Sequence, residues 1–268
     1  PGIDSTKWAA EKAPGDVTAY GLVIDGVHYV SDCQTRAGAH PYCDTLDLPS
    51  YSVAKSLFGG LALMRANLLD PEVRSRLVSD LVPECAAPAW RGVTVENALD
   101  MATGLWVDPA YMKDEDSDRT WAFLEPLDHA SRIRLACTAL TRRGEPGRRW
   151  VYHTSDTYIV GAALTAWLRE KEEDGRAVDI YRDLVAEPLW RSIHLSPVAM
   201  TTRRTYDAAA QPFTGYGLTF HGDDFARIGQ FLQGGGQVNG RDYVDARMLA
   251  EAMQRIPDAR GLEAGWPS

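Results

Sequence analysis

The sequence lacks any long run of one charge. Its 28 Lys and Arg and 37 Asp and Glu are scattered, and the net charge is −9. No basic stripe suits a phosphate backbone, so nucleic acid is not an expected partner. Also missing is the apolar run of about 20 residues that a membrane span needs; the longest here is 158–168. The four cysteines (Cys33, Cys43, Cys85, Cys137) form no C-x-x-C pair, and the six histidines (His28, His40, His129, His153, His194, His221) no H-E-x-x-H. No metal is expected from such spacing. The acidic cluster Asp114, Glu115, Asp116 and Asp118 lacks the EF-hand spacing and glycine and reads as a solvated loop. No internal repeat or low-complexity tract is present. The glycines of "GGGQVNG" follow a helix instead of opening one after a strand, so no nucleotide fingerprint and no organic cofactor is implied.

What is present suffices for a sizeable core: 268 residues, 45% of them hydrophobic, in one large domain or two intimate lobes. Strands are scarce and come early. "VTAYGLVIDGVHYVS", residues 17–31, predicts a hairpin turning at Asp25-Gly26. A lone hairpin is marginal in water and needs further strands or a covering layer. After residue 52 the chain reads as helical. Thr94 is placed as an N-cap with Glu96 in the first turn. Helices are expected over 157–171, 179–190 and 223–233, with Asp224 as a capping residue, and a short hairpin in "GGGQVNGRDYV". Two readings of the cysteines stay open. In one, Cys33 and Cys43 close the loop "CQTRAGAHPYC" and the protein is exported, periplasmic or secreted. In the other, the four are unrelated thiols and a cytoplasmic protein is allowed. The start at Pro1 shows no leader pattern, so a signal is expected to have been removed or to lie outside the sequence.

One stretch carries chemistry. From Val53 to Met64 nearly every residue is apolar or Gly, yet Lys55 sits inside the run, three residues after Ser52. On a helix, residues i and i+3 share a face. A serine hydroxyl is a weak nucleophile that needs an adjacent base. A lysine withdrawn from water is discouraged from carrying its charge and can be that base. S-x-x-K alone is a common pattern on solvated helix faces; the apolar surroundings remove that explanation, leaving a snorkelling lysine as the bland alternative.

"YSVAKS" followed by an apolar helix resembles the active-site serine motif of the serine β-lactamase and penicillin-binding-protein superfamily. Further segments resemble its class C-like branch in the same order: "VTVENALDMATGL" (93–105), "EPGRRWVYHTSDTYIVG" (145–161), "EPLW" (187–190) and "YGLTFHGDDFARIGQFLQGGGQVNG" (216–240). "DMATGLWVDPAYMKDEDSD" is most similar to the 6-aminohexanoate-dimer hydrolase and carboxylesterase relatives. The resemblance implies an α/β (α+β) fold with an antiparallel sheet flanked by helices and a mainly helical lobe. Residues 1–56 and about 195–268 would form the α/β part, and about 57–194 the helical part. It also implies a serine hydrolase working through an acyl-enzyme on a small ester or amide. The alternatives are an inactive binding protein of the same fold, or a D-peptidase or β-lactamase. Ser52, Lys55 and Tyr152 would be catalytic, with Tyr152 shuttling the serine proton to the leaving group. Thr154, Tyr111 and Trp106 would face the substrate, the last two from a lid; His153, next to Tyr152, is placed lining the cleft, with a loop histidine as the bland alternative.

Two departures stand out. Thr154 replaces the usual Asn two residues after the tyrosine, which counts against β-lactam specialism. The family's third motif, on a strand supplying the second oxyanion donor, has no counterpart before the closing "GLEAGWPS"; His221-Gly222 is a look-alike in a loop. The expectation is a sheet short of its C-terminal strands, which lie beyond this sequence or come from another polypeptide.

Overall fold

A computed structural model describes residues 17–258 and 261–262. Most of the closing "GLEAGWPS" lies outside the described residues, as does the start at Pro1. The described part begins with strands β1 (Gly21–Ile24) and β2 (Val27–Val30), paired antiparallel with Leu22 opposite Tyr29. Asp25 and Gly26 both take positive φ, 49° and 80°. That is the backbone a two-residue hairpin turn demands and that the Asp-Gly pair tolerates. Strands β3 (Gln34–Thr35) and β4 (Gly38–Ala39) form a second short pair, and β5 (Leu48–Pro49) follows.

A 3-10 turn, Tyr51–Val53, leads into a π-helical stretch, Lys55–Gly60, continuous with α1 (Leu61–Leu69). Short helices α2 (Val78–Leu81), α3 (Val95–Leu99) and α4 (Asp118–Leu124) come next, then α5 (His129–Thr138) and the 18-residue α6 (Thr154–Lys171). Thr94 caps α3, as the sequence predicts, and does so in a reciprocal box with Asn97. A second π-helical stretch, Arg182–Trp190, precedes β6 (Thr219–Phe220) and α7 (Gly222–Gln233). The hairpin β7 (Gln237–Val238) and β8 (Arg241–Asp242) and helix α8 (Ala246–Ala252) complete the description. Among the described residues the strands pair only in twos.

The core gathers around α1 and α6. Leu61, Leu63, Ile159, Leu164, Trp167, Tyr181 and Trp190 are all buried in it. Each large side chain so buried contributes about 1.5–3 kcal/mol of transfer free energy. All four cysteines are paired, Cys33 with Cys43 and Cys85 with Cys137. The second pair ties the turn after α2 to α5, where the Trp90 indole donates to the Cys137 carbonyl at 2.8 Å. The open choice at Cys33 and Cys43 thus resolves as a disulfide, and the sequence reading missed the second one. Strand β5 pairs antiparallel with β6, Leu48 opposite Phe220. Segments about 170 residues apart in sequence therefore meet immediately before Ser52, which fixes how the chain enters the site.

Candidate active site

Ser50 is clamped from both sides: its N–H donates to the Leu218 carbonyl at 2.9 Å, and its hydroxyl accepts from Leu218 N–H at 3.2 Å. Tyr51 then turns at φ 45°. Left-handed backbone at a bulky residue is costly and persists where the surrounding structure holds it. The turn leaves Ser52 exposed while Ala54 and Lys55 go under the surface. Lys55 is 7% exposed. Its amine donates to Ser52 Oγ at 3.1 Å, Thr154 Oγ1 at 2.9 Å and the Gly215 carbonyl at 3.4 Å. Three acceptors match the three protons of an ammonium. The amine also lies over the Tyr152 ring, 4.8 Å from its centroid, where a cation meets the negative face of the aromatic system.

The N-terminus of α6 delivers Thr154. The helix begins three residues earlier than the sequence reading placed it, and its N-cap residue, His153, makes no side-chain cap. The cap comes from Glu115, 39 residues upstream. One carboxylate oxygen accepts Thr154 N–H at 2.9 Å and the other accepts the Thr154 hydroxyl proton. A carboxylate there is favoured by the unpaired N–H groups and the positive end of the helix.

His153, expected to line the cleft, does not. It is 2% exposed, with Nε2 3.1 Å from Asp114 and Nδ1 3.2 Å from Asp156. Both ring nitrogens are spent on carboxylates, leaving none for a substrate. Burial opposes the ring's charge, but the Asp156 charge and the hydrogen bonds to Asp114 and Asp156 outweigh it and raise its pKa to about 9. Burial likewise opposes the Asp114 charge; hydrogen bonds from His153 and from Val107 and Asp108 N–H hold its carboxyl below the usual range. The acidic stretch is therefore not the solvated loop expected from the sequence. Asp114 is buried and Glu115 half-buried, while Asp116 and Asp118 face water.

Thr154, expected to contact substrate, is 6% exposed with its hydroxyl engaged by Lys55 and Glu115. Tyr111 is 46% exposed and stacks on Trp150 at 6.3 Å between centroids. Trp150 meets Tyr152 edge-on at 6.0 Å. A short aromatic row thus runs from the 107–116 loop to Tyr152. Trp106 packs across Gly144, where an added Cβ would stand 2.5 Å from the indole, and Arg149 lies 5.8 Å from its ring. The indole braces that loop.

Sequence reasoning missed Glu115, Tyr51 and Gly215. A Cβ on Gly215 would sit 2.8 Å from Thr157 Oγ1 and 3.1 Å from Thr154 Cγ2, so only glycine lets this backbone reach the amine. His221 N-caps α7, and the buried Asp224 carboxylate accepts His221 N–H at 2.9 Å and Ser196 N–H at 2.7 Å. Among the described residues, no group of three His, Cys, Asp or Glu side chains is arranged to hold a metal ion. No described helix is long and apolar enough to cross a membrane.

Comparison with known proteins places this geometry. The family model described as Beta-lactamase matches residues 20–267. No curated protein matches the sequence. Solved structures share the fold at low identity. A Bacillus anthracis protein assigned as a 6-aminohexanoate-dimer hydrolase is 16% identical with a TM-score of 0.61, over 89% of this chain and 59% of its own. A class C beta-lactamase is 16% identical, TM-score 0.58, over 87% and 63%. A penicillin-binding-protein homologue from Caulobacter crescentus is 18% identical, TM-score 0.61, over 91% and 72%. The chain thus spans less than two thirds of the length of the first two.

Proposed function

The chain belongs to the beta-lactamase family, and from that premise we propose that it is a serine hydrolase acting through an acyl-enzyme on a small ester or amide. The observation that carries the proposal is the 3.1 Å approach of a buried lysine amine to an exposed serine hydroxyl. In this reading Ser52 Oγ attacks the substrate carbonyl and Lys55 Nζ takes the serine proton. The Tyr152 phenol protonates the leaving group and takes the serine proton back from Lys55, and water then attacks the acyl-enzyme. The Ser52 N–H supplies one donor to the oxyanion, and the second is expected on a strand beyond those described. The aromatic row Tyr111–Trp150–Tyr152 offers an apolar wall for the acyl or leaving group. Both disulfides support an exported, periplasmic or secreted protein.

The test is labelling with a fluorophosphonate, which phosphonylates an activated serine. Labelling of the wild type that vanishes in Ser52→Ala and in Lys55→Ala, with both variants folded, is the expected result. Labelling retained in either variant overturns the assignment, and an unlabelled wild type points to a non-catalytic binding protein.

A further inference from the structure

Lys55 has three acceptors for three protons, and that is a difficulty as well as a comfort. The arrangement describes an ammonium, and an ammonium cannot accept the Ser52 proton. Something must first relieve it of a proton. Water is poorly placed to do so: Lys55 is 7% exposed, and the neighbours of its amine are Ser52, Thr154, Gly215 and the Tyr152 ring. Of those neighbours, Thr154 alone leads onward to a base. Its Oγ1 accepts from Lys55 at 2.9 Å while its own proton is donated to Glu115. The hydroxyl is held in one sense, accepting from the amine and donating to the carboxylate. The second Glu115 oxygen is fixed by Thr154 N–H at 2.9 Å, so the carboxylate cannot swing away without uncapping α6.

We propose that Glu115 is the proton acceptor for Lys55, reached through the Thr154 hydroxyl, so that amine and carboxylate share one proton and the neutral amine is generated inside the site. The inference rests on the assignment of Ser52 and Lys55 above. The step balances: an Nζ–H bond breaks as the proton passes to Thr154 Oγ1, and the Thr154 O–H proton passes to the Glu115 carboxylate. The products are a neutral amine, an intact threonine and a carboxylic acid. When Ser52 Oγ attacks, its proton goes to Lys55 Nζ. Lys55 passes that proton to Tyr152 as the phenol protonates the leaving group; water then hydrolyses the acyl-enzyme and supplies the proton that Ser52 regains, and reversal of the relay restores the ammonium and the carboxylate. Glu115 touches no reacting atom; it is a positioning residue that sets the charge of the one that does.

Other ionisable groups near this chain are accounted for. Tyr152 stands over the amine. His153 is closed between Asp114 and Asp156 beside Thr154. From the segment carrying Gly215, Tyr216 faces Arg132 at 3.5 Å. Asp116, next to Glu115, is exposed. None of these is hydrogen-bonded to the Lys55 amine.

The relay has a signature in pH. A shared proton makes the amount of neutral amine independent of pH while the pair holds one proton between them. Without the carboxylate or the hydroxyl, the amine must lose its proton to solvent, and reactivity climbs about tenfold per pH unit. The experiment measures the rate of fluorophosphonate labelling between about pH 5.5 and about pH 8, below the range in which His153 discharges, in folded wild type, Glu115→Gln, Thr154→Val and Thr154→Ser. The wild type and Thr154→Ser should give a flat profile. Glu115→Gln and Thr154→Val should each lose on the order of a hundredfold more at the acid end than at the alkaline end. If Glu115→Gln fails to fold because α6 is uncapped, Thr154→Val reads the same relay with the cap in place. A flat profile in the variants, with one uniform loss, overturns the relay and leaves Glu115 a helix cap. An unlabelled wild type fails earlier, at the assignment of Ser52.

Discussion

Raising the pH through 9 should discharge His153 and loosen the loop that carries Glu115. The imidazole is charged between two carboxylates, and its pKa is raised from an ordinary 6.5 to about 9. A group whose pKa is higher folded than unfolded stabilises fully below the unfolded value, and the contribution is lost as pH rises through the folded one. The window is therefore from about 6.5 to about 9 and just beyond. At about 1.4 kcal/mol for each tenfold change in proton affinity, the contribution is on the order of 3 kcal/mol. The 2% exposure of His153 leaves solvent little room to screen it. Discharge would leave Asp114 and Asp156 facing one another with a single ring proton between them, and Asp156 Oδ1 already lacks a partner. The assay is urea unfolding of wild type and His153→Gln at about pH 6 and about pH 10, disulfides intact. The variant should be the less stable at pH 6, because one partner of a buried ion network is gone. The gap should narrow by about 3 kcal/mol at pH 10, where the wild type has lost the same charge. An unchanged gap would mean that His153 is neutral in the folded protein, and the ionic clamp on the 107–116 loop would be refuted.

Two further perturbations probe the frame around the site. Gly215→Ala places a Cβ 2.8 Å from Thr157 Oγ1 and 3.7 Å from Lys55 Nζ. It should slow fluorophosphonate labelling by about tenfold or more and cost roughly 1–3 kcal/mol. Gly222→Ala, whose Cβ meets nothing within 4 Å, is the control, and equal labelling rates would refute the close approach. Opening Cys85–Cys137, which spans 52 residues, should cost about 4 kcal/mol in urea unfolding, against about 3 kcal/mol for Cys33–Cys43, which spans 10. The reverse order would contradict the pairing as the source of the α2–α5 tie.

The parts of the molecule that were legible in the sequence are those whose causes are local. Asp25-Gly26 makes its turn with its own backbone, Thr94 caps α3 three residues away, and "GGGQVNG" folds back on itself. Lys55 was legible for a different reason: a charge in an apolar run demands a partner, and Ser52 lay one turn off. The rest depends on residues far apart in the chain. Four acids within five residues read as water-facing, and two of them are; the partners of Asp114 and Glu115, His153 and the Thr154 N–H and hydroxyl, lie 39 residues on. The sequence places the start of α6 late for the same reason: its cap is borrowed from Glu115. Gly215 carries no signal except its crowding by Thr154 and Thr157, which exists only once α6 has packed. The Cys85–Cys137 bond is one of six that four cysteines allow, and no local spacing marks it.

The central claim is that the Lys55 amine activates Ser52 and no other hydroxyl. Peptide mapping by mass spectrometry after fluorophosphonate treatment tests it most directly. A single adduct is expected, on the peptide carrying Ser52, formed in the wild type and absent from Lys55→Ala. An adduct on Ser50, Ser56 or Tyr152 instead, or an equal yield at Ser52 without the lysine, would contradict it.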